Sequence, residues 1–497
     1  MSSTGPGGLA DYEAASEMSR RAASIRQLGT HRKLVSRTEQ RELETRLTLD
    51  AIIVPASRPA RNLEQAITLA RAMNCALLIL CSHQVKPHEV HQLLAERTFS
   101  GAIVVDLPDG YRHELLDFRA LASIKDELPD ACSWYVTDLS AKRNVGLILA
   151  RMLGWRRIFF LDDDIRDINP LDVQSTVSML KSFPAAGMRV SSFPDNSAVC
   201  HANRMTGGPQ DVFITGAAIA VDCQRNTGFF PDIYNEDWLF FYDAASAGRL
   251  GGSELRVTQL RYDPFADPDR AAWQEFGDVL AEGLYALLDQ GLDWRYATDG
   301  YWSQFLEARR GFLEAILGRA ETMNSGKKEQ LLLSVEMALK CSAAIEPGLL
   351  ERYTRLWQQD LRNWQRHMAG IPKMPSLEAA LEALGLEEPA DGGIADVARI
   401  TTAAAAEGAA TTPFALRELY DLLETGAEND GRAASDRGER GGRNRRASVL
   451  PHHGFPNVHE GGRLASAWRA FRPGRGHGPT ESSPALNVQT AAESVYN

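Results

Sequence analysis

Residues 158–164 read Ile-Phe-Phe-Leu-Asp-Asp-Asp, an apolar run that stops in three carboxylates. Such a run, with no polar alternation, fits a strand buried on both faces, as in a parallel sheet covered by helices. Its abrupt acidic end fits the carboxyl edge of that strand, where open α/β sheets bind ligands. Side chains alternate along a strand, so Asp162 and Asp164 are expected on one side. Like charges that close repel unless a cation lies between them. Hard carboxylate oxygens suit Mg²⁺ or Mn²⁺, ions that also hold substrate phosphates. A solvated acidic turn is the competing reading, and the hydrophobic strand directly before the triplet weakens it.

The flanking sequence extends this sheet. Strands are predicted at Ala51–Val54, Ala76–Cys81, Ala102–Val105, Trp134–Val136, Ile158–Leu161, Arg189–Phe193 and Phe213–Val221. Helical patterns at Asn62–Met73, Pro87–Glu96 and Ala141–Leu153 lie between them. The alternation predicts an α/β domain over residues 49–265, preceded by a polar arm at 1–48. Over 266–428 the period is helical, with apolar residues every three or four positions in Ala271–Leu288, Trp302–Leu317, Glu329–Leu339 and Leu349–Met368. Trp273, Tyr285, Trp294, Tyr296 and Trp302 in this region are core residues or sugar platforms, core being the simpler assignment. Residues 429–497 are rich in Gly, Arg, Ser and Pro and are expected to be disordered. The arginines between Arg432 and Arg446 leave open contact with an anionic membrane surface or an acidic partner, against a plain solubilising tail.

A net charge of −11 argues against a general nucleic-acid binder. The six cysteines include no Cys-x-x-Cys pair, which points to a reducing, cytoplasmic setting without a disulfide framework. The N-terminus lacks an apolar leader, and no apolar run approaches the roughly 18 residues of a membrane span.

Four further segments bear on chemistry. In Val54-Pro55-Ala56-Ser57-Arg58-Pro59 the prolines end the first strand and leave Arg58 at its carboxyl edge, as a nucleotide contact or a surface residue. Lys142 and Arg143 fall in the first turn of a helix that Asp138 or Ser140 can cap. The macrodipole disfavours cations there, so an anion such as a diphosphate would offset them. Asn235-Glu236-Asp237-Trp238 opens an apolar helix and offers a carboxylate to take a proton from a hydroxyl nucleophile, although the dipole alone favours acids at that place. Thr215-Gly216-Ala217 is small enough to let a ligand approach the backbone. His201 is a candidate acceptor or metal contact, with a surface histidine as the simpler reading.

Taken in chain order, Val54–Pro59, Lys142-Arg143-Asn144-x-Gly146-Leu147, Leu161–Asp164, Thr215–Ala217 and Asn235–Trp238 resemble the family 2 glycosyltransferases of the GT-A fold, over about residues 50–245. The resemblance implies an α/β, GT-A (Rossmann-like, mostly parallel sheet) domain with an appended C-terminal α-helical region and a disordered tail. It implies a nucleotide-diphospho-sugar donor and a hydroxyl acceptor, with Asp162 and Asp164 holding Mn²⁺ or Mg²⁺ on the diphosphate. Pro55, Ser57, Arg58, Lys142, Arg143, Asp163 and Gly216 would surround the donor. Asp237 would be the general base of an inverting displacement, with Glu236 its nearest competitor. Two departures stand out. Many relatives carry an acid after the second strand that reads the nucleotide base, whereas this chain has Leu80-Cys81-Ser82-His83, leaving Asp106 after the next strand as the substitute. No histidine between Asp237 and His367 is placed to be a late metal ligand. Sugar-phosphate nucleotidyltransfer, a retaining transfer on the same fold, and a non-catalytic nucleotide-sugar-binding or scaffold role remain as alternatives. The first usually needs a Gly-rich loop after the first strand, which this chain lacks.

Overall fold

The computed structural model describes residues 27–36, 47–132, 137–190, 197–211, 214–226 and 228–387. All of these fall in one folded unit, and a second unit, Thr411–Ser494, lies outside the described residues. The tail at 429–497, the strand expected at Trp134–Val136 and most of the N-terminal arm lie outside them too.

The strands are β1 (Val35–Ser36), β2 (Ala51–Ala56), β3 (Ala76–Cys81), β4 (Ala102–Asp106), β5 (Arg157–Leu161), β6 (Ile165–Arg166), β7 (Ala185–Val190), β8 (Ala218–Asp222) and β9 (Leu250–Gln259). They form one sheet in the order β1-β9-β7-β8-β5-β2-β3-β4, with β6 paired to the end of β9. The pairs β5–β2, β2–β3, β3–β4, β7–β9 and β1–β9 are parallel. β8 runs antiparallel between β5 and β7. The result is an α/β fold on a mixed, mostly parallel sheet.

The helices are α1 (Glu64–Met73), α2 (Pro87–Glu96), α3 (Arg119–Ile124), α4 (Leu139–Leu153), α5 (Pro170–Ser178), α6 (Ala198–Met205), α7 (Glu236–Ser246), α8 (Asp269–Asp289), α9 (Asp299–Glu321), α10 (Lys328–Ala344), α11 (Pro347–Gly370) and α12 (Leu377–Ala383). Asn74 and Gly154 end α1 and α4 in the left-handed conformation that closes a helix.

β5 shows why its sequence lacks alternation. Ile158 and Phe160 enter one core with Ile53, Val145, Phe230 and Phe240. Phe159 and Leu161 enter a second core with Ile52, Val54, Val173 and Ala218. Helices cover both faces, so every position is apolar, and each such buried side chain contributes about 1.5–3 kcal/mol. The first core continues into the helical region, where Trp302, Tyr353 and Trp357 are fully buried with it.

β9 was not evident in the sequence. Its Leu-Gly-Gly-Ser-Glu start has a loop-like composition, yet a Cβ at Gly252 would stand 2.0 Å from Val35 Cγ1, so the glycine admits β1 at the sheet edge. The strand expected at Arg189–Phe193 starts earlier, β7 covering Ala185–Val190 with a register shift between Gly187 and Arg189, and residues 191–193 lie outside the described residues. The strand expected from residue 213 begins only at Ala218.

Cysteine spacing misled on one point. Cys132 and Cys341 form a disulfide with Cα atoms 4.8 Å apart across 209 residues. Cys132 follows α3, against which α11 packs, and Cys341 lies in α10, so the pairing is a tertiary one that no local spacing signals. Among the described residues no helix is long and apolar enough to cross a membrane.

Candidate functional site

The carboxyl ends of β2 and β5 are neighbours in the sheet. Loops leaving them meet the start of α7 around a cavity of about 390 Å³. Pro55, Ser57, Arg58, Arg143, Asp162, Asp163, Asp164, Gly216, Glu236 and Asp237 all line it. Lys142 does not.

Arg143 is the hub. Its Nη2 donates to both Asp162 oxygens at 2.9 and 3.0 Å, and its Nη1 to Glu236 Oε1 at 2.5 Å. The guanidinium lies 5.2 Å from the Phe230 ring centre. Burial opposes its charge, but Asp162, Glu236 and Asp237 outweigh burial and hold the cation. The next residue, Asn144, clamps the loop before α7 through two bonds with the Phe230 backbone, at 2.7 and 2.9 Å.

Lys142 is fully buried. Its Nζ donates to Ala56 O, Ser57 Oγ and Ser82 Oγ at 2.9, 2.5 and 2.8 Å and pairs with Asp138 at 3.1 Å. Burial lowers its pKa, with Asp138 opposing. The anions that offset the two first-turn cations are thus the chain's own, Asp138 for Lys142 and Asp162 with Glu236 for Arg143. Neither Asp138 nor Ser140 caps α4 through its side chain; Ser140 Oγ donates to Pro231 O instead.

Asp138 also meets His83 at 3.4 Å. Burial alone would raise the Asp138 carboxyl, but bonds from His83 and Ser82 and the Lys142 charge hold it well below the usual range. A carboxylate therefore does stand beside the end of β3, delivered by the start of α4 rather than by β3 itself. Asp106 is exposed, and neither it nor Asp138 nor His83 lines the cavity.

The acidic triplet is a turn, not an extension of the strand. Ile165 N bonds back to Asp162 O at 3.2 Å, so strand alternation stops at Leu161. Asp162 goes to Arg143, while Asp163 and Asp164 share Arg58. Asp163 accepts from Ser57 N at 2.7 Å, Arg58 N at 2.8 Å and Arg58 Nη1 at 2.5 Å. Asp164 accepts from Arg58 Nη2 at 2.9 Å and Gln259 Nε2 at 3.1 Å. As a donor set for Mg²⁺ or Mn²⁺, Asp162 and Asp164 have the right hard oxygens. Among the described residues no group of three or more His, Cys, Asp or Glu could hold a metal ion. Mg²⁺ usually takes one or two carboxylates together with water and substrate phosphate, and here Arg143 already holds Asp162 while Arg58 and Gln259 hold Asp164.

The acidic pair opens α7. Asn235 adopts φ 63° and makes no side-chain cap, sending its side-chain amide to Asp278 Oδ1 of α8 at 2.8 Å. Asp278 in turn accepts from Arg309 at 3.0 Å, and Arg309 also pairs with Glu275 at 2.7 Å. Asp237 Oδ2 accepts from Gly216 N at 2.8 Å, and Oδ1 from Trp238 N at 2.9 Å. A Cβ at Gly216 would lie 2.6 Å from Asp237 Oδ2, so only glycine permits this approach. The pKa values of Glu236 and Asp237 are both raised, by burial first, with Arg143 opposing.

Sequence reasoning missed Asp232, Gln259, Asp278 and Arg309. Asp232 lines the cavity, and burial pushes its carboxyl up to about 6. Glu275, Asp278 and Glu282, set among the apolar residues of α8, were a usable signal, because buried carboxylates need partners. His201 is buried rather than on the surface and does not line the cavity. Of the five aromatic candidates only Trp273 does. Tyr285 and Trp302 are core, and Trp294 and Tyr296 pack partly buried against it.

No protein-family model and no curated protein matches this chain. Among solved structures it is similar to the mannosyltransferase PcManGT from Pyrobaculum calidifontis in complex with GDP-Man and Mn²⁺, at 13% identity and a TM-score of 0.33, over 74% of this chain and 91% of that one. A likeness of that size carries no argument about chemistry, which has to come from the cavity itself.

Proposed function

We propose that this chain is a glycosyltransferase of the GT-A type, moving a sugar from a nucleotide-diphosphate donor to a hydroxyl acceptor with inversion. One observation carries the reading. A single cavity at the carboxyl edges of β2 and β5 joins the acidic turn to the Glu236–Asp237 pair, with buried Arg143 bonded to both Asp162 and Glu236.

Asp237 is the base in this reading. Arg143 occupies Glu236, whereas each Asp237 oxygen accepts one backbone N–H and keeps a second lone-pair site for a hydroxyl. Its raised pKa moves it toward the neutral range where proton transfer is most effective. The acceptor proton passes to Asp237 as the acceptor oxygen bonds to the anomeric carbon. The bond from that carbon to the diphosphate breaks, and its electron pair leaves with the nucleoside diphosphate. Arg58, the more accessible guanidinium, meets the charge that develops there. Asp162 and Asp164 would hold Mg²⁺ or Mn²⁺, whose chemistry when bound is charge neutralisation on the phosphates.

Asp237→Asn keeps the shape and removes the basic oxygen. Turnover should fall by about 10² to 10⁴ while donor affinity persists. Unchanged turnover in Asp237→Asn, with collapse in Glu236→Gln, would move the role to Glu236.

A further inference from the structure

Beyond the acidic pair, the cavity lining continues into aromatic and cationic side chains. Tyr234 lies in the turn just before Asp237, and its ring meets Trp273 edge-on at 5.9 Å. The Arg270 guanidinium lies 4.3 Å from the Tyr262 ring centre and 5.9 Å from that of Trp273, and it donates to the Tyr262 hydroxyl at 3.0 Å. Exposed Arg261, just past the end of β9, lines the same wall. Behind Tyr262, the His201 ring packs at 6.0 Å. Burial, Arg204 and Arg270 hold that imidazole neutral, so His201 adds no charge to the wall.

Aromatic faces beside a proton-accepting carboxylate suit the apolar C–H face of a sugar ring. Guanidinium groups suit a carboxylate or a phosphate.

We propose that this wall is the acceptor subsite, and that the acceptor is an anionic sugar or sugar-like polyol whose carboxylate or phosphate seats on Arg270 and Arg261 while its ring packs on Tyr234 and Trp273. The proposal rests on the transferase reading, because it takes Asp237 to face the acceptor.

Calorimetric titration of the full chain with glucuronic acid, glucose 6-phosphate and neutral methyl glucoside tests it, alongside UDP and GDP. At least one charged sugar should bind about tenfold or more tightly than the neutral one, the increment of a single charge-assisted contact. Comparing the two charged sugars separates carboxylate from phosphate recognition. Arg270→Gln should abolish the preference and Arg261→Gln should reduce it, with nucleoside diphosphate affinity unchanged. Arg261 is exposed, so its variant carries the test if Arg270→Gln fails to fold. Equal affinity for charged and neutral sugars, or no binding of either, overturns the proposal. A fall in UDP or GDP affinity in the variants also overturns it, by giving the wall to the donor. If the charged-sugar preference holds but neither nucleotide binds the wild type and no sugar nucleotide does, the transferase reading fails and the anion site alone stands.

Discussion

The Asn235 side chain donates to Asp278 at 2.8 Å, tying the turn that carries the acidic pair to the middle of α8. Arg309 closes the network from α9. Asn235→Gly preserves the positive φ and removes only this tie. Turnover should then fall by roughly 10-fold to 100-fold, as for a misplacement of about 1 Å, with donor affinity retained. Removing the buried carboxylate in Asp278→Ala should lower stability by about 3–5 kcal/mol, because Arg309 loses a partner in the interior. Kinetics and denaturant titration of both variants separate the two effects.

Gly216→Ala should disable the site with little harm to the fold. The added methyl would reach 2.6 Å from Asp237 Oδ2 and push the carboxylate off its two N–H donors. Overpacking of this kind costs about 1–3 kcal/mol. The expected pattern is a large loss of kcat with near-normal nucleoside diphosphate binding. Wild-type turnover would show that the approach of Gly216 to Asp237 is not needed.

His31 should impose a pH dependence on stability. Its ring bonds Asp289 at 2.5 Å and Glu282 at 3.1 Å and packs between Trp238 and Tyr285. Burial disfavours its charge, but the two carboxylates win and raise the pKa from 6.5 to about 9. Lys33, 3.4 Å from Asp289, competes for that carboxylate. The folded pKa lies above the unfolded one, so the contribution is complete below pH 6.5 and is lost as pH rises through about 9. The shift corresponds to about 3 kcal/mol. Urea unfolding across this range should show the decline in the wild type and a flatter profile in His31→Gln.

The Cys132–Cys341 bond should be a stability element. It closes a loop of 209 residues, and cross-links of this kind typically contribute about 2–5 kcal/mol by restricting the unfolded chain. Reducing agent should lower the melting temperature of the wild type and leave the Cys132→Ser, Cys341→Ser double variant unchanged. Identical melting with and without reductant in the wild type would contradict this.

The parallel strands and long helices were legible in the sequence because their buried faces force an apolar period. β2, β3 and β5 and the helices α8 to α11 fall near their expected bounds. β9 was hidden because close approach selects glycine, which reads as a loop. Lys142 and Arg143 were singled out by their awkward place at a helix start, but local sequence could not say which anion relieves it. The answer, Asp138 for one and Asp162 with Glu236 for the other, depends on contacts 4 to 93 residues away. The Arg143 partners and the disulfide are tertiary facts and leave no periodic trace.

Nucleotide-sugar binding at the cavity between β2 and β5 is the central claim, and thermal unfolding in the presence of a donor panel tests it most directly. UDP-, GDP-, CDP- and dTDP-sugars would each be added with Mn²⁺ and with chelator, to wild type and to Asp164→Ala. One nucleotide should raise stability by about 2.7 kcal/mol at 100 times its dissociation constant. The rise should shrink with chelator and in Asp164→Ala. Absence of stabilisation by every sugar nucleotide, with and without metal, would contradict the account.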